Sequence, residues 1–242
     1  MTPLASEITH LLLDIEGTTC PVSFVAEVLF PYARARLSSY CEVHAQDPEL
    51  QDLLQAVDRA WASDTHPEAQ ALRLGQGLKT DVVPYLEWLI DHDVKLTPLK
   101  DLQGRIWEAG YSQGDIVAPL FHDVPAALQQ WHQQQKVLAV YSSGSVAAQQ
   151  LLYGHCQAGD LRGLISHWFD TRTGLKQLPG SYATIAAAMG ALPAQVLFIS
   201  DSLAEITAAA EAGMVVLFSD REGNPGRDAG PFERISDYSQ IT

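Results

Sequence analysis

Four short apolar runs constrain the fold of this 242-residue chain more than any other feature of its sequence. Each run is rich in Val, Ile and Leu, and each is followed directly by Asp or Ser. The runs cover residues 8–13, 137–141, 196–199 and 215–218. Continuous apolar runs of this length are typical of strands buried on both faces, because helices cover both faces of a parallel sheet. The sequence therefore predicts four parallel strands.

Helical patterns lie between the later runs. They cover residues 146–153, 181–189 and 203–212. The last two patterns stop at Gly190 and Gly213, and glycine is the residue type that most often ends a helix. Alternation of strands and helices predicts a parallel sheet with helices on its faces. We therefore predict an α/β fold with a Rossmann-like core.

Residues 20–118 differ from the rest, because they show helical periodicity and no strand pattern. The helical patterns cover residues 24–43, 48–62, 80–93 and 98–110. A kink or break is expected at Pro31. We predict a core built from residues 1–19 and 119–242, with an all-helical cap of residues 20–118 inserted after the first strand. The alternative is a single mixed domain with additional helices.

The charge, apolar runs and cysteine content of the chain disfavour several classes of binding partner and cellular location. The net charge is −14, and no basic stretch stands out, whereas binding to nucleic acid or to an anionic membrane needs clustered Lys and Arg. No run reaches the 18 apolar residues or so that a membrane span requires. The three cysteines form no CxxC pair, and the N-terminus lacks the basic region of a secretory signal. We expect a cytoplasmic globular enzyme.

Polar residues at the strand ends form the candidate site. The carboxyl ends of parallel strands meet at one edge of a sheet, where ligands bind in open α/β folds. Lys176 adds an ammonium group from a loop that glycines flank, TRTGLKQLPG. The residues that we expect at this edge are Asp14, Glu16, Ser142, Ser143, Lys176, Asp201 and Glu205.

The segment DIEGTT, residues 14–19, places two carboxylates two residues apart directly after a predicted strand. Asp14 can attack a phosphorus atom to form an aspartyl phosphate. Glu16 can protonate the leaving alkoxide and then activate the attacking water. Asp201 offers the hard oxygen ligand that Mg²⁺ prefers. The alternative for this segment is an ordinary strand end with an Asx-type turn and a solvated glutamate.

The other candidates suit a phosphate site. The Ser142 hydroxyl and the backbone N–H groups after it can hold phosphate oxygens at a helix N-terminus. Lys176 can neutralise the phosphate, and Glu205, one helical turn after Asp201, can orient that lysine or brace a metal. Each has a plain alternative: an N-cap serine, a solvated lysine, and an N-cap aspartate followed by a surface glutamate. The combination is more specific than any one of them.

The order of these motifs resembles that of the haloacid dehalogenase-like phosphohydrolases, and the resemblance spans the whole chain. The order is Asp-x-acid-Gly-Thr, then a strand with Ser, then Lys, then a strand with Ser-Asp. Longer stretches are similar to the enolase-phosphatases of methionine salvage. These stretches are DIEGTTCPVSFV, LQGRIWEAGYSQG, FHDVPAALQQW and VYSSGSVAAQQLLYG.

The resemblance implies a role for each candidate residue. Asp14 would be the nucleophile and a metal ligand. Glu16 would be the second acid and would reach the metal through its backbone carbonyl, while Asp201 would complete the Mg²⁺ site. Lys176 would contact both the phosphate and the nucleophile. The residues implied to bind the substrate phosphate are Ser142, Ser143 and Lys176.

The resemblance also implies a substrate and a reaction. The substrate is a small phosphate ester, 2,3-diketo-5-methylthiopentyl-1-phosphate, which the family enolises with Mg²⁺. Hydrolysis of the enol phosphate then gives phosphate and an acireductone, 1,2-dihydroxy-3-keto-5-methylthiopentene. A monomer is the implied assembly.

Two aspects of the site depart from the superfamily pattern or stay open. Glu16 stands where most of these phosphatases carry Asp, and the additional methylene moves the carboxylate by about one C–C bond. The base that removes the carbon-bound proton is Glu16, Glu205 or a cap residue.

Trp107 and Tyr111, four residues apart on a predicted helix, are hypothesised to contact the methylthio end of the substrate through sulfur–aromatic interactions.

Three other functions compete with this one. Another phosphatase or a dehalogenase of the same superfamily is the nearest, although a dehalogenase needs no metal. A phosphoacceptor signalling domain also uses Asp at a strand end with a hydroxyl and a Lys, but the predicted cap and Glu16 favour turnover instead. An inactive scaffold is disfavoured because the full acid–Ser–Lys–Asp set is present.

Overall fold

The computed structural model describes residues 7–76, 81–92 and 94–241. It divides into two compact units. One comprises Met1–Val25 and Val117–Thr242, and the other comprises Ala26–Ile116. Part of the predicted N-terminal segment and both ends of the helix predicted over 80–93 lie outside the described residues.

The first unit, which we call the sheet unit, contains an all-parallel sheet in the order β3-β2-β1-β4-β5-β6. Its strands are β1 (His10–Leu13), β2 (Val137–Tyr141), β3 (His167–Phe169), β4 (Val196–Ser200), β5 (Val215–Ser219) and β6 (Arg234–Ile235). The predicted α/β parallel fold is confirmed. The two strands that the sequence did not predict, β3 and β6, have three and two residues, too few to show a strand pattern.

Some helices alternate with these strands in the sheet unit, and others make up the second unit. Within the described residues they are α1 (Phe30–Val43), α2 (Pro48–Ser63), α3 (Pro67–Gly75), α4 (Val83–Asp91), α5 (Thr97–Gln113), α6 (Val124–Gln133), α7 (Val146–Gly154), α8 (Pro179–Ala188) and α9 (Leu203–Glu211). Helix α8 starts two residues before the predicted pattern, because Pro179 is accommodated in its first turn. Its first-turn proline needs no N–H partner, so the helix can begin there.

The core of the sheet unit lies between the central strands and the helices α8 and α9. Tyr141 and Tyr182 meet edge to face, with ring centroids 5.7 Å apart. Tyr182 also packs against Phe198 of β4. Both faces of the central strands are buried, which explains why these strands read as unbroken apolar runs. The same packing holds the strand ends, and the polar residues that follow them, in place.

The second unit, which we call the helical unit, contains α1 to α5. Each of these helices carries a proline in its first turn. The break predicted at Pro31 occurs one residue earlier, where a π-helix over Phe24–Leu29 gives way to α1. Proline is tolerated there because the first N–H groups of an α-helix have no intrahelical acceptor. Helix α3 lies outside the helical patterns predicted from the sequence.

Gly110 on α5 allows close contact with Tyr32 of α1. A Cβ atom at Gly110 would lie 2.6 Å from the Tyr32 ring. The ring cannot move away freely, because its hydroxyl donates to Asp115 at 3.0 Å and the Arg36 guanidinium lies 3.8 Å from its centroid. The contact therefore depends on glycine at this position.

We expect Gly110→Ala to destabilise the protein by about 1–3 kcal/mol, because the methyl group overpacks a held ring. Gly104→Ala on the same helix is the matched control, since nothing lies within 4 Å of its Cβ position. That variant is expected to gain about 0.5–1 kcal/mol from helix propensity. Denaturant unfolding measures both, and equal shifts in the two variants would contradict the prediction.

Candidate active site

Three predicted site residues follow adjacent strands of the sheet. Asp14 follows β1, Ser142 follows β2, and Asp201 follows β4. Because β1 lies between β2 and β4, these three residues come to the same edge. The strand order reverses direction at β1, and such a switch point is where open α/β sheets bind ligands.

A buried lysine links two of the candidate acids. Lys176 Nζ donates to Asp14 Oδ1 at 2.7 Å and lies 2.6 Å from Glu205 Oε2. Asp14 Oδ1 also accepts the N–H of Ile15 at 2.7 Å. Asp14, Lys176 and Glu205 are all less than 9% exposed. The predicted contact of Glu205 with Lys176 is thus present in the structure, and its role in bracing a metal stays a prediction.

The site holds more negative than positive charge in a poorly solvated environment. Burial alone would lower the pKa of Lys176, but the carboxylates of Asp14 and Glu205 raise that pKa above its usual value. Burial, reinforced by the nearby charge of Asp14, raises the pKa of Asp201 to about 7 and the pKa of Glu205 to about 7. One ammonium therefore does not neutralise the acids around it.

The turn after Asp14 is held against the end of β5. The Gly17 carbonyl accepts from Ser219 Oγ at 3.0 Å and from Asn224 Nδ2 at 2.9 Å. Gly17 has φ +66°, and a Cβ atom there would lie 2.1 Å from Asp201 Oδ2. Glycine is therefore needed at this position both for backbone conformation and for the approach of Asp201. Neither Ser219 nor Asn224 was among the predicted site residues.

Gly17→Ala is expected to destabilise the protein by about 2–3 kcal/mol, because it combines left-handed backbone strain with overlap of the Asp201 carboxylate. Gly190→Ala is the matched control: Gly190 has φ +73°, but nothing lies within 4 Å of its Cβ position. It should lose only about 1 kcal/mol, the strain alone. Thermal and denaturant unfolding compare the two, and losses of equal size would remove the overlap argument.

The turn between β2 and α7 carries two of the predicted site residues, Ser142 and Ser143. Ser142 is buried; its N–H donates to the Phe169 carbonyl at 3.2 Å, and its Oγ accepts the N–H of Gly144 at 3.2 Å. Gln149 Nε2 donates to the carbonyls of Gly144 and Phe169 at 2.9 and 2.8 Å. Ser143 is exposed. These hydrogen bonds hold the turn in place. The turn directly precedes the N-terminus of α7, and helix N-termini favour anions.

The other predicted site residues lie in two places. Glu16 is half-buried in the turn after Asp14, and its backbone pairs with Cys20. Trp107 and Tyr111 lie on α5 of the helical unit. Trp107 donates its indole N–H to the Leu29 carbonyl at 2.8 Å, and Tyr111 is buried. Their contact with a substrate stays a prediction.

A second group of acidic and histidine side chains lies close together, and its buried carboxylate is held by partners within the protein. Within the described residues, His122, Asp123 and Asp237 bring ligand atoms close enough to share a metal ion. However, Arg221 donates to both oxygens of Asp123, at 2.9 and 2.8 Å, and the N–H of Tyr238 donates at 2.6 Å. The Asp123 carboxylate is therefore already satisfied. This buried pair was not predicted from the sequence, since its two residues are 98 positions apart.

No helix among the described residues has both the length and the apolar character to cross a lipid bilayer.

The chain matches a family model over residues 8–213, and the family is described as haloacid dehalogenase-like hydrolase. It is 51% identical to enolase-phosphatase E1 of Parasynechococcus marenigrum over 223 residues, covering 90% of this chain and 91% of the relative. It is 47% identical to enolase-phosphatase E1 of Synechococcus elongatus over 239 residues, covering 99% and 100%.

Solved structures share the fold. The UTR4 protein of Saccharomyces cerevisiae matches with a TM-score of 0.70 and 34% identity, over 95% of this chain and 98% of that one. The protein CbbY of Rhodobacter sphaeroides, solved with phosphate, matches with a TM-score of 0.58 and 16% identity, over 96% of both chains. The second likeness concerns the fold alone.

Proposed function

This chain belongs to the haloacid dehalogenase-like hydrolases, and we propose that it is the enolase-phosphatase of methionine salvage. It enolises 2,3-diketo-5-methylthiopentyl-1-phosphate and hydrolyses the enol phosphate to the acireductone and phosphate. The observation that carries the proposal is the buried Asp14 carboxylate, held by Lys176 at 2.7 Å at the end of the central strand. Relatives named enolase-phosphatase E1, matched over nearly the full length, support it.

The residues of the sheet unit account for phosphate transfer. Asp14 attacks phosphorus and forms an aspartyl phosphate while the alkoxide leaves. Glu16 protonates that alkoxide and then removes a proton from the water that attacks the aspartyl phosphate. Lys176 binds the phosphate and holds Asp14 in place through the hydrogen bond that its ammonium donates to Asp14 Oδ1. Ser142 and Ser143 bind the phosphate oxygens, with the backbone N–H groups of their turn.

The donor set at the site fits Mg²⁺. The carboxylates of Asp14 and Asp201 and the backbone carbonyl of Glu16 would hold it, and oxygen atoms are the ligands that this ion prefers. Burial and the nearby charge of Asp14 raise the pKa of Asp201. The two carboxylates therefore repel each other when no cation offsets their charge. When bound, Mg²⁺ neutralises these carboxylates and acts as a Lewis acid on the substrate oxygens.

The helical unit is proposed to act as the cap, and the sheet unit as the catalytic core. Trp107 and Tyr111 would contact the methylthio end of the substrate. Because the Trp107 indole N–H donates to the Leu29 carbonyl, Trp107 would contribute to substrate binding through an apolar contact of its ring with sulfur.

We further propose that the protein acts as a monomer in the cytoplasm, where its three free cysteines stay reduced.

A spectroscopic assay with the diketo phosphate tests the function. We expect enol absorbance to appear and then phosphate to be released, with both signals lost on chelation of Mg²⁺ and regained when Mg²⁺ is added back. The physical reason is that the excess carboxylate charge repels an anionic substrate unless a divalent cation offsets it.

Each rival function gives a different result in that assay. Release of phosphate without enol absorbance would indicate a phosphatase for another small substrate. Activity that survives chelation would favour a dehalogenase. A stable phosphoprotein without turnover would indicate a phosphoacceptor domain instead.

A further inference from the structure

Ser200 contacts both acids that the site lysine holds. It is the last residue of β4 and is fully buried. Its Oγ lies 3.0 Å from Asp14 Oδ2 and 3.0 Å from Glu205 Oε2. It also accepts the N–H of Ser202 at 3.2 Å. The hydroxyl is therefore enclosed by two carboxylates and one backbone donor.

A serine hydroxyl has one proton, so it can donate to only one of these carboxylates at a time. Lys176 bridges the same two residues through Asp14 Oδ1 and Glu205 Oε2. The four side chains thus close a ring in which Asp14 is held from one oxygen by an ammonium and from the other by a hydroxyl. Buried networks of this kind fix the orientation of their members.

The two oxygens of Asp14 are held unequally. Oδ1 accepts from Lys176 and from the N–H of Ile15. Among the described residues, the side-chain hydrogen bond to Oδ2 comes from Ser200. Without that hydroxyl Oδ2 would lose this hydrogen bond, and rotation about the Cβ–Cγ bond would be resisted only by the hydrogen bonds at Oδ1. Attack on phosphorus needs an aligned carboxylate, and small misalignments slow such steps strongly.

We propose that Ser200 is a positioning residue that fixes the carboxylate plane of Asp14, with Glu205 as its alternative acceptor. The proposal rests on the proposed function, because alignment matters only if Asp14 reacts. When Asp14 Oδ2 is drawn toward another partner, the hydroxyl turns to Glu205, so it is never left buried without an acceptor. The serine keeps its proton throughout and acts only by holding the nucleophile.

The first test compares Ser200→Ala, Ser200→Thr and a control, Thr207→Ala. Thr207 donates its hydroxyl to the Leu203 carbonyl on α9 and contacts none of the acids above. For Ser200→Ala we expect kcat to fall about 10- to 100-fold with KM within about twofold of the parent. Ser200→Thr, which keeps the hydroxyl, should recover most of kcat. The thermal midpoint of Ser200→Ala should fall no further than that of the control.

The second test does not depend on activity. Unfolding free energies of Ser200→Ala, Glu205→Gln and the double variant form a cycle, and we expect non-additive effects because the residues share one network. Additive effects, or a Ser200→Ala enzyme with kcat within twofold of the parent, would overturn the proposal. A parent enzyme that releases no phosphate would overturn the proposed function, while the unfolding cycle would still show whether Ser200 and Glu205 are coupled.

Discussion

Asp14→Asn is expected to slow phosphate release by about 10⁴-fold or more, because the amide cannot form the aspartyl phosphate. Asparagine has nearly the same shape as aspartate, so its side-chain oxygen can still accept the N–H of Ile15. Enolisation does not use Asp14 as a nucleophile, and the enol should therefore accumulate in this variant. Rapid-quench phosphate analysis together with enol absorbance separates the two steps.

Asp160→Asn is the matched control for that variant. Asp160 lies in the same unit, but its side chain is half exposed and pairs with Arg162 at the surface. The control should keep the phosphate release of the parent. Phosphate release in Asp14→Asn that stays near the parent rate would mean that another group attacks phosphorus.

Arg221→Met is expected to destabilise the protein by about 3–5 kcal/mol, because it leaves the Asp123 carboxylate buried without its cation. The two side chains are each 5% exposed and meet through two hydrogen bonds. The guanidinium also lies 4.6 Å from the Phe121 ring centroid and 4.7 Å from that of Tyr238. Such a loss lowers the thermal midpoint by roughly 10 °C in a chain of this size.

Arg162→Ala provides the control for a surface pair, since Arg162 and Asp160 are about half exposed. It should change stability by less than about 1 kcal/mol. The double variant Asp123→Leu with Arg221→Met should recover part of the loss, because no unpaired charge is left buried. If Arg221→Met were no less stable than Arg162→Ala, the buried pair would not stabilise the fold.

The fold was predictable where pattern length allowed it. Strands such as β2 and β4 are buried on both faces over five residues, and that leaves an unmistakable apolar run. Strand β3 begins with a half-buried histidine, and β6 begins with an exposed arginine, so neither differs from a loop in sequence. Their existence depends on neighbours in the sheet, which periodicity does not report.

The candidate site was predictable in part, for a similar reason. Parallel strands place their ends together, so Asp14 and Asp201 could be assigned to one edge from strand order. Ser200 counted only as a strand end, because its two acceptors come from Asp14, 186 residues away, and from Glu205. Asn224 gave no signal at all, since a single asparagine in a loop says nothing about the carbonyl that it will bind.

The central position of β1 has a consequence for the order of folding. This strand is made first, yet its partners are β2 and β4, and His10 pairs with Val137 and Val196. Pairing of such distant segments is slow, because a long loop must close before any contact forms. The helical unit shortens that loop: its Tyr32–Asp115 hydrogen bond already joins residues 83 positions apart. If this unit folds before the sheet, the closure cost falls by about 1 kcal/mol, and the sheet should form faster during synthesis.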